Sequence, residues 1–142
     1  MPKRSTKRPP SALVIETYAQ FEELVSAFVN GHIPLLVIMG RPGLSKSKSI
    51  KRAIGNAEAL YLKGRKSELD FYIDCYFYKD KPIILDDPDN MLSQKLFREY
   101  IKALTETDRY KRLDYGTRTR ILDNAGVPKH FWTMSHVCII TN

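Results

Sequence analysis

The stretch that decides the fold is Leu35-Leu-Val-Ile-Met-Gly-Arg-Pro-Gly-Leu-Ser-Lys-Ser47. It begins with an unbroken apolar run, Leu35 to Met39, which is typical of a parallel strand buried on both faces. Gly40 ends this run, a loop of small residues follows, and Lys46 stands where a helix is expected to begin. The stretch therefore predicts a strand, a loop and a helix in direct succession, the first unit of an α/β fold.

The loop in this stretch matches the phosphate-binding pattern G-x-x-x-x-G-K-[ST], except that Ser45 replaces the second motif glycine. In such a loop the backbone N–H groups and the helix N-terminus surround an anion, Lys46 supplies positive charge for the outer phosphates, and the Ser47 hydroxyl can ligate Mg²⁺. The alternative is an ordinary turn that contains a lysine. The predicted nucleotide-binding residues are Gly40, Arg41, Pro42, Gly43, Leu44, Ser45, Lys46 and Ser47.

The composition indicates one soluble domain. A chain of 142 residues with 43% hydrophobic and 27% charged residues can bury a proper core. Cys75 and Cys138 lie in apolar patterns without a C-x-x-C motif, so we expect buried thiols rather than a disulfide or a metal site. No apolar run approaches the roughly 20 residues of a membrane span, and the N-terminus lacks the apolar segment of a secretory signal. We therefore expect a cytoplasmic location and no membrane partner.

The net charge of +7 is unevenly distributed. Residues 1–12 combine basic residues with prolines and predict a disordered basic tail, which leaves 13–142 as the folded domain. A second basic run extends from Arg41 to Lys66. Together they suggest nucleic acid as a partner, and a merely solvated basic face is the alternative.

The remaining sequence alternates between helical and extended patterns. A parallel sheet with crossover helices is the usual result of such alternation. Residues 105–120 read as irregular, and 121–128 are too short to assign. Helices are predicted over 17–30, 47–54, 68–78 and 92–104, and strands over 35–39, 59–62, 83–85 and 137–141.

Two acids, Asp86 and Asp87, directly follow the apolar run that begins at Ile83. The first can hold Mg²⁺ opposite Ser47, and the second can orient or deprotonate the water that attacks a γ-phosphate. Carboxylates at the end of a buried strand are costly without a cation, which favours this interpretation. The alternative is that Asp87-Pro88 only starts a turn.

The last strand, from Val137, ends in Thr141-Asn142. In a parallel sheet these polar residues belong to the same edge as the other carboxyl ends, where ligands bind. Asn142 could therefore hydrogen-bond the γ-phosphate or the attacking water, although asparagine also commonly ends strands. Just upstream, His130-Phe-Trp132 is expected to be part of the core, with base stacking as the alternative.

The loop, the two-acid strand end and the asparagine-tipped strand, in this order, resemble the core of an AAA+ ATPase. In that family they are the Walker A, Walker B and sensor-1 motifs, and the resemblance extends from about Phe21 to Asn142. The sequence departs from the family at Ser45, where glycine is usual, and at Asp87, where glutamate is usual. It also resembles the helicases of small DNA and RNA viruses.

The resemblance implies an α/β three-layer αβα sandwich with a parallel sheet, a P-loop NTPase core of AAA+ type without its lid. It implies ATP and Mg²⁺ as ligands, ATP hydrolysis coupled to nucleic-acid remodelling, and a homo-oligomer at full length. The alternatives are a nucleotide-dependent binding module with little hydrolysis and a viral-type helicase domain. The chain is expected to be incomplete at its C-terminus; without the fifth strand of the family order 5-1-4-3-2, residues 35–39 would be an uncovered edge. The implied catalytic residues are Lys46, Asp87 and Asn142, and the implied metal ligands are Ser47 and Asp86.

Overall fold

The structure is a computed structural model that describes residues 14–40, 46–64, 66–117 and 119–141. The predicted basic tail lies outside these residues. The helices of the described part are α1 (Tyr18–Val29), α2 (Lys46–Ile54), α3 (Glu68–Phe77), α4 (Asp89–Leu92), α5 (Lys95–Leu104) and α6 (Arg120–Ala125). Its strands are β1 (Leu35–Met39), β2 (Leu60–Lys63), β3 (Ile83–Asp86), β4 (Lys111–Asp114), β5 (His130–Thr133) and β6 (Val137–Thr141).

Four strands form a parallel sheet in the order β1-β6-β3-β2. Val137 of β6 is the register partner of Leu35 on one side and of Ile83 on the other. Since the strands are parallel, their carboxyl ends lie along one edge, here called the C-terminal rim. The prediction of a mixed α/β fold with a parallel sheet is confirmed.

The hydrophobic core lies on both faces of this sheet. On one face Ile84 and Cys138 pack in a cluster with residues of α1 and α2, including Phe28 and Ile50. On the other face Ile83 and Leu85 belong to a cluster that includes residues of α3, α5, β4 and β5. Successive residues of β3 are therefore buried on opposite faces, as its continuous apolar run predicts. The expected thiols are also confirmed, because Cys75 and Cys138 are buried and free.

The prediction that β1 is buried on both faces is wrong. Val37 is 47% exposed and Met39 68%, whereas Ile38 is buried against α1 and α2. The exposed residues alternate along β1, because β1 is the last strand of the sheet within the described residues and only its face toward α1 and α2 belongs to a core cluster. The uncovered edge expected at residues 35–39 is thus present in the described part of the chain, and such an edge favours association with other chains.

Two segments, one predicted as a single helix and one left unassigned, differ in the structure. The helix expected over 92–104 is interrupted at Ser93 and Gln94, which separate α4 from α5. The unassigned stretch 121–128 contains most of α6, a short helix with capping at both ends. Its first turn is capped by Thr119, whose hydroxyl accepts a hydrogen bond of 3.2 Å from Leu122 N, and Gly126 ends it with a φ of 71°.

The predicted irregular region 105–120 contains β4, which pairs antiparallel with β5. Its alternation was hidden because Lys111, a charged residue, occupies the buried face and donates a hydrogen bond of 2.8 Å to Ser135 O. Burial lowers the pKa of Lys111. The core expectation for His130-Phe-Trp132 is right for Phe131 and wrong for its neighbours, since Trp132 is 55% exposed beside Arg112.

We expect Phe71→Ala to lower the free energy of unfolding by about 3–5 kcal/mol, because truncating a fully buried aromatic ring leaves a cavity. Phe71 has no exposed surface and contacts Phe97 edge-on at 4.8 Å between ring centroids. Phe77→Ala on the same helix is the matched control, since Phe77 is 61% exposed. Urea denaturation measures both variants, and equal destabilisation by the two would contradict the described packing.

Candidate functional site

The candidate site lies at the C-terminal rim, where four segments meet. Strand β3 ends at Asp86, β6 ends at Thr141, β1 leads into Gly40, and α2 begins at Lys46. The meeting follows from the topology, because β6 lies between β1 and β3 in a parallel sheet. Asp86 is only 5% exposed although it ends its strand. Because a buried charge is costly unless it is paired or hydrogen-bonded, its carboxylate needs partners among the groups around it.

Ser47 and Asp86 are in direct contact. Ser47 lies in the first turn of α2, and its Oγ donates a hydrogen bond of 2.5 Å to Asp86 Oδ2. These residues are 39 positions apart in the sequence, and the sheet and helix packing bring together the two predicted metal ligands. A hydroxyl that donates to a carboxylate keeps its oxygen lone pairs available to another partner.

Lys46 extends along the same rim. Its Nζ donates hydrogen bonds of 2.7 Å to Gly40 O and 3.2 Å to Thr141 O. The ammonium therefore lies where β1 and β6 end, beside the start of α2. Positive charge here adds to the partial positive charge of the helix N-terminus, which makes this part of the rim suited to an anion.

Asp87 leaves the strand in an unusual backbone conformation. Its φ is 54°, in the left-handed region that few residues other than glycine adopt but that aspartate and asparagine tolerate. Its N–H donates a hydrogen bond of 2.9 Å to Ile140 O, while the residue itself is exposed to solvent. The backbone is thus fixed to β6 and leaves the carboxylate accessible at the rim.

Tyr61 is a site residue that the sequence reasoning missed. It lies on β2, and its hydroxyl donates a hydrogen bond of 2.5 Å to Asp86 Oδ2, the oxygen that also accepts from Ser47. Burial, and then the hydrogen bond to Asp86, raise the pKa of Tyr61 to about 12, so the hydroxyl stays protonated at neutral pH. An aromatic residue in an apolar strand carries no sequence signal for this contact, because only the pairing of β2 with β3 creates it.

The other predicted site residues lie outside the described part of the chain. These are Asn142 and the central loop residues Arg41, Pro42, Gly43, Leu44 and Ser45. The structure therefore brings together Gly40, Lys46, Ser47, Asp86 and Asp87 at the rim.

The oxygen donors at this rim fit Mg²⁺. Mg²⁺ prefers hard oxygen ligands and is usually held by one or two carboxylates together with substrate phosphates and water. Asp86 supplies a carboxylate and Ser47 a hydroxyl, side by side. Among the described residues, no thiol or imidazole is hydrogen-bonded to Ser47 or Asp86.

Comparison with known proteins gives a relative but no family. No protein-family profile matches the chain. The chain is 22% identical over 126 residues to an uncharacterized 36.7 kDa protein in the nrdC-mobD intergenic region of Enterobacteria phage T4. The aligned region covers 84% of this chain and 39% of that protein, so the chain spans well under half of its relative's length. Separately, no helix in the described ranges has both the length and the apolar character needed to cross a bilayer.

Proposed function

We propose that this chain binds ATP with Mg²⁺ and hydrolyses it, as an AAA+-like P-loop domain coupled to the remodelling of nucleic acid. The observation that carries the proposal is the 2.5 Å contact between Ser47 at the start of α2 and Asp86 at the end of β3. A lysine and a hydroxyl at a helix N-terminus, opposite a buried carboxylate, are what a Mg²⁺-nucleotide requires.

The strand order supports the finer assignment to a P-loop core. The observed order β1-β6-β3-β2 equals the family order 5-1-4-3-2 without its fifth strand, when β6 is taken as the fourth. In this order β1, which precedes the loop, lies beside β6, which leads to Asn142. The next strand is β3, which ends in Asp86. Helices on both faces of the sheet agree with a three-layer αβα sandwich.

Each residue of the site has a distinct role in the proposed reaction. Lys46 and the loop N–H groups bind the phosphates, while Ser47 and Asp86 hold the metal. Bound Mg²⁺ supplies positive charge that offsets the charge on the phosphate oxygens. Asp87 orients the attacking water and accepts its proton, and Asn142 hydrogen-bonds the γ-phosphate.

Nucleic acid is the proposed partner because two surfaces suit it. The first is the exposed basic side of α2, with Lys48, Lys51 and Arg52. The second is the outer face of β4 and β5, where Trp132 lies across the ladder from Arg112. An exposed aromatic ring beside a cation can stack a base of a single strand, worth about 1–3 kcal/mol per base.

Assembly into a homo-oligomer is part of the same proposal.

The direct test measures phosphate release from ATP with and without single-stranded DNA. We expect Mg²⁺-dependent turnover that single-stranded DNA increases, because the proposed reaction is coupled to the nucleic acid. DNA binding is followed in the same samples through quenching of the fluorescence of Trp132, the only tryptophan of the chain. Trp132→Phe provides the control for the optical signal.

The outcomes separate the proposal from its alternative. ATP affinity without phosphate release, in the presence and absence of DNA, would favour a nucleotide-dependent binding module. Ser45 and Asp87, which stand where glycine and glutamate are usual in the family, motivate this alternative. No affinity for ATP at any Mg²⁺ concentration would reject both functions.

A further inference from the structure

The Asp86 carboxylate is held from two sides. Ser47 Oγ and Tyr61 OH each donate a hydrogen bond of 2.5 Å to the same oxygen, Oδ2. Two donors on one oxygen fix the rotation of the carboxylate about its bond to Cβ. Among the described residues, no hydrogen bond reaches Oδ1, so one oxygen is held and the other remains available for a ligand.

Tyr61 is itself held in place by α2 and the sheet. Its ring packs against the cluster on the α1–α2 face of the sheet. Lys51 Nζ lies 4.5 Å from the centroid of the ring, which is within the range of a cation–π interaction. Ser47 and Lys51 are four residues apart on α2 and therefore share one face of the helix. One turn of α2 thus contacts Asp86 directly through Ser47 and indirectly through Tyr61.

We propose that Tyr61 is a positioning residue that orients the Asp86 carboxylate for Mg²⁺ and thereby sets the Mg²⁺ concentration needed for tight nucleotide binding. This inference rests on the proposed function, since it assigns a role at the same site. Ser47 alone cannot replace Tyr61, because a single hydrogen bond to Oδ2 leaves the carboxylate free to rotate. Without the tyrosine hydroxyl, Asp86 keeps a single donor and regains rotational freedom, which lowers its affinity for the cation.

The test is Tyr61→Phe, which removes one oxygen and keeps the ring between Lys51 and the sheet. Binding of a fluorescent ATP analogue to the whole chain is titrated with Mg²⁺, and its affinity is also measured in excess EDTA. We expect the Mg²⁺ midpoint to rise by about tenfold or more, as with other groups that orient metal ligands. The affinity in EDTA is expected to stay at the wild-type value, whereas a purely structural role would weaken binding in both conditions.

Tyr72→Phe is the matched control. The Tyr72 hydroxyl donates a hydrogen bond of 2.7 Å to Pro128 O, so this variant also loses one partly buried tyrosine hydrogen bond, but none to the site. Its Mg²⁺ midpoint should equal that of the wild type. A wild-type midpoint in Tyr61→Phe, or an equal shift in Tyr72→Phe, would overturn the positioning role while leaving the proposed function intact. Wild-type protein that binds no nucleotide would overturn both.

Discussion

Replacing Lys46 by alanine is expected to lower the affinity for ATP by about 100-fold or more. The Lys46 ammonium lies at the C-terminal rim, 2.7 Å from Gly40 O and 3.2 Å from Thr141 O, where the outer phosphates are proposed to bind. A hydrogen bond between two charged groups contributes up to about 3 kcal/mol, which corresponds to roughly 100-fold in affinity. Isothermal titration calorimetry with Mg²⁺-ATP measures the change.

Lys48→Ala is the matched control for this experiment. Lys48 lies on α2 one residue beyond Ser47 and is exposed, so its removal changes the net charge equally without touching the rim. Because Lys46 also bonds two backbone carbonyls, the unfolding temperature of both variants is measured to show that the fold persists. If Lys46→Ala binds ATP as the wild type does, the assignment of the loop to phosphate binding is wrong.

Asp87→Asn is expected to keep nucleotide affinity near the wild-type value and to reduce turnover by about 100-fold or more. The amide has the size of the carboxylate but cannot accept a proton from water. Removal of a general base typically lowers the rate by roughly 10²–10⁴-fold. Asparagine also tolerates the φ of 54° at this position, so the backbone hydrogen bond to Ile140 O should survive. Phosphate release and ATP affinity are measured on the same preparation.

Asp89→Asn provides the control, since Asp89 is an exposed acid two residues further along, in the first turn of α4. Its turnover should match that of the wild type. Turnover of Asp87→Asn at the wild-type rate would show that another group activates the water. A parallel loss of affinity and turnover would instead assign Asp87 to ligand binding.

Together with Tyr61→Phe, these variants test three separate properties of one rim. In the proposed function Lys46 governs the affinity for the nucleotide, Tyr61 its dependence on Mg²⁺, and Asp87 the step that follows binding. The separation is possible because the three residues have different contacts among the described residues: Lys46 Nζ with Gly40 O and Thr141 O, Tyr61 OH with Asp86, and the Asp87 backbone N–H with Ile140 O.

The local sequence was sufficient for the elements that build the site. The apolar runs predicted β3 and β6 within a residue of their observed limits, because a strand buried on both faces needs apolar residues at every position. The glycine that ends β1 and the serine that follows Lys46 located the start of α2. Since parallel strands align their carboxyl ends, the sequence also indicated that Ser47 and Asp86 would meet.

Tertiary structure decided what depends on neighbours in space. The apolar pattern of β1 resembles that of β3, yet Met39 is exposed because, within the described residues, this last strand belongs to a core cluster on one face only. Lys111 is buried because Ser135 O accepts its hydrogen bond, which a pattern of apolar residues cannot reveal. Trp132 faces solvent since it lies on the outer face of the two-stranded sheet of β4 and β5, whereas Phe131 lies on the face that packs in the core. The contact of Tyr61 with Asp86 arises only from the pairing of β2 with β3, so the residue that holds the central carboxylate could be identified only in the folded chain.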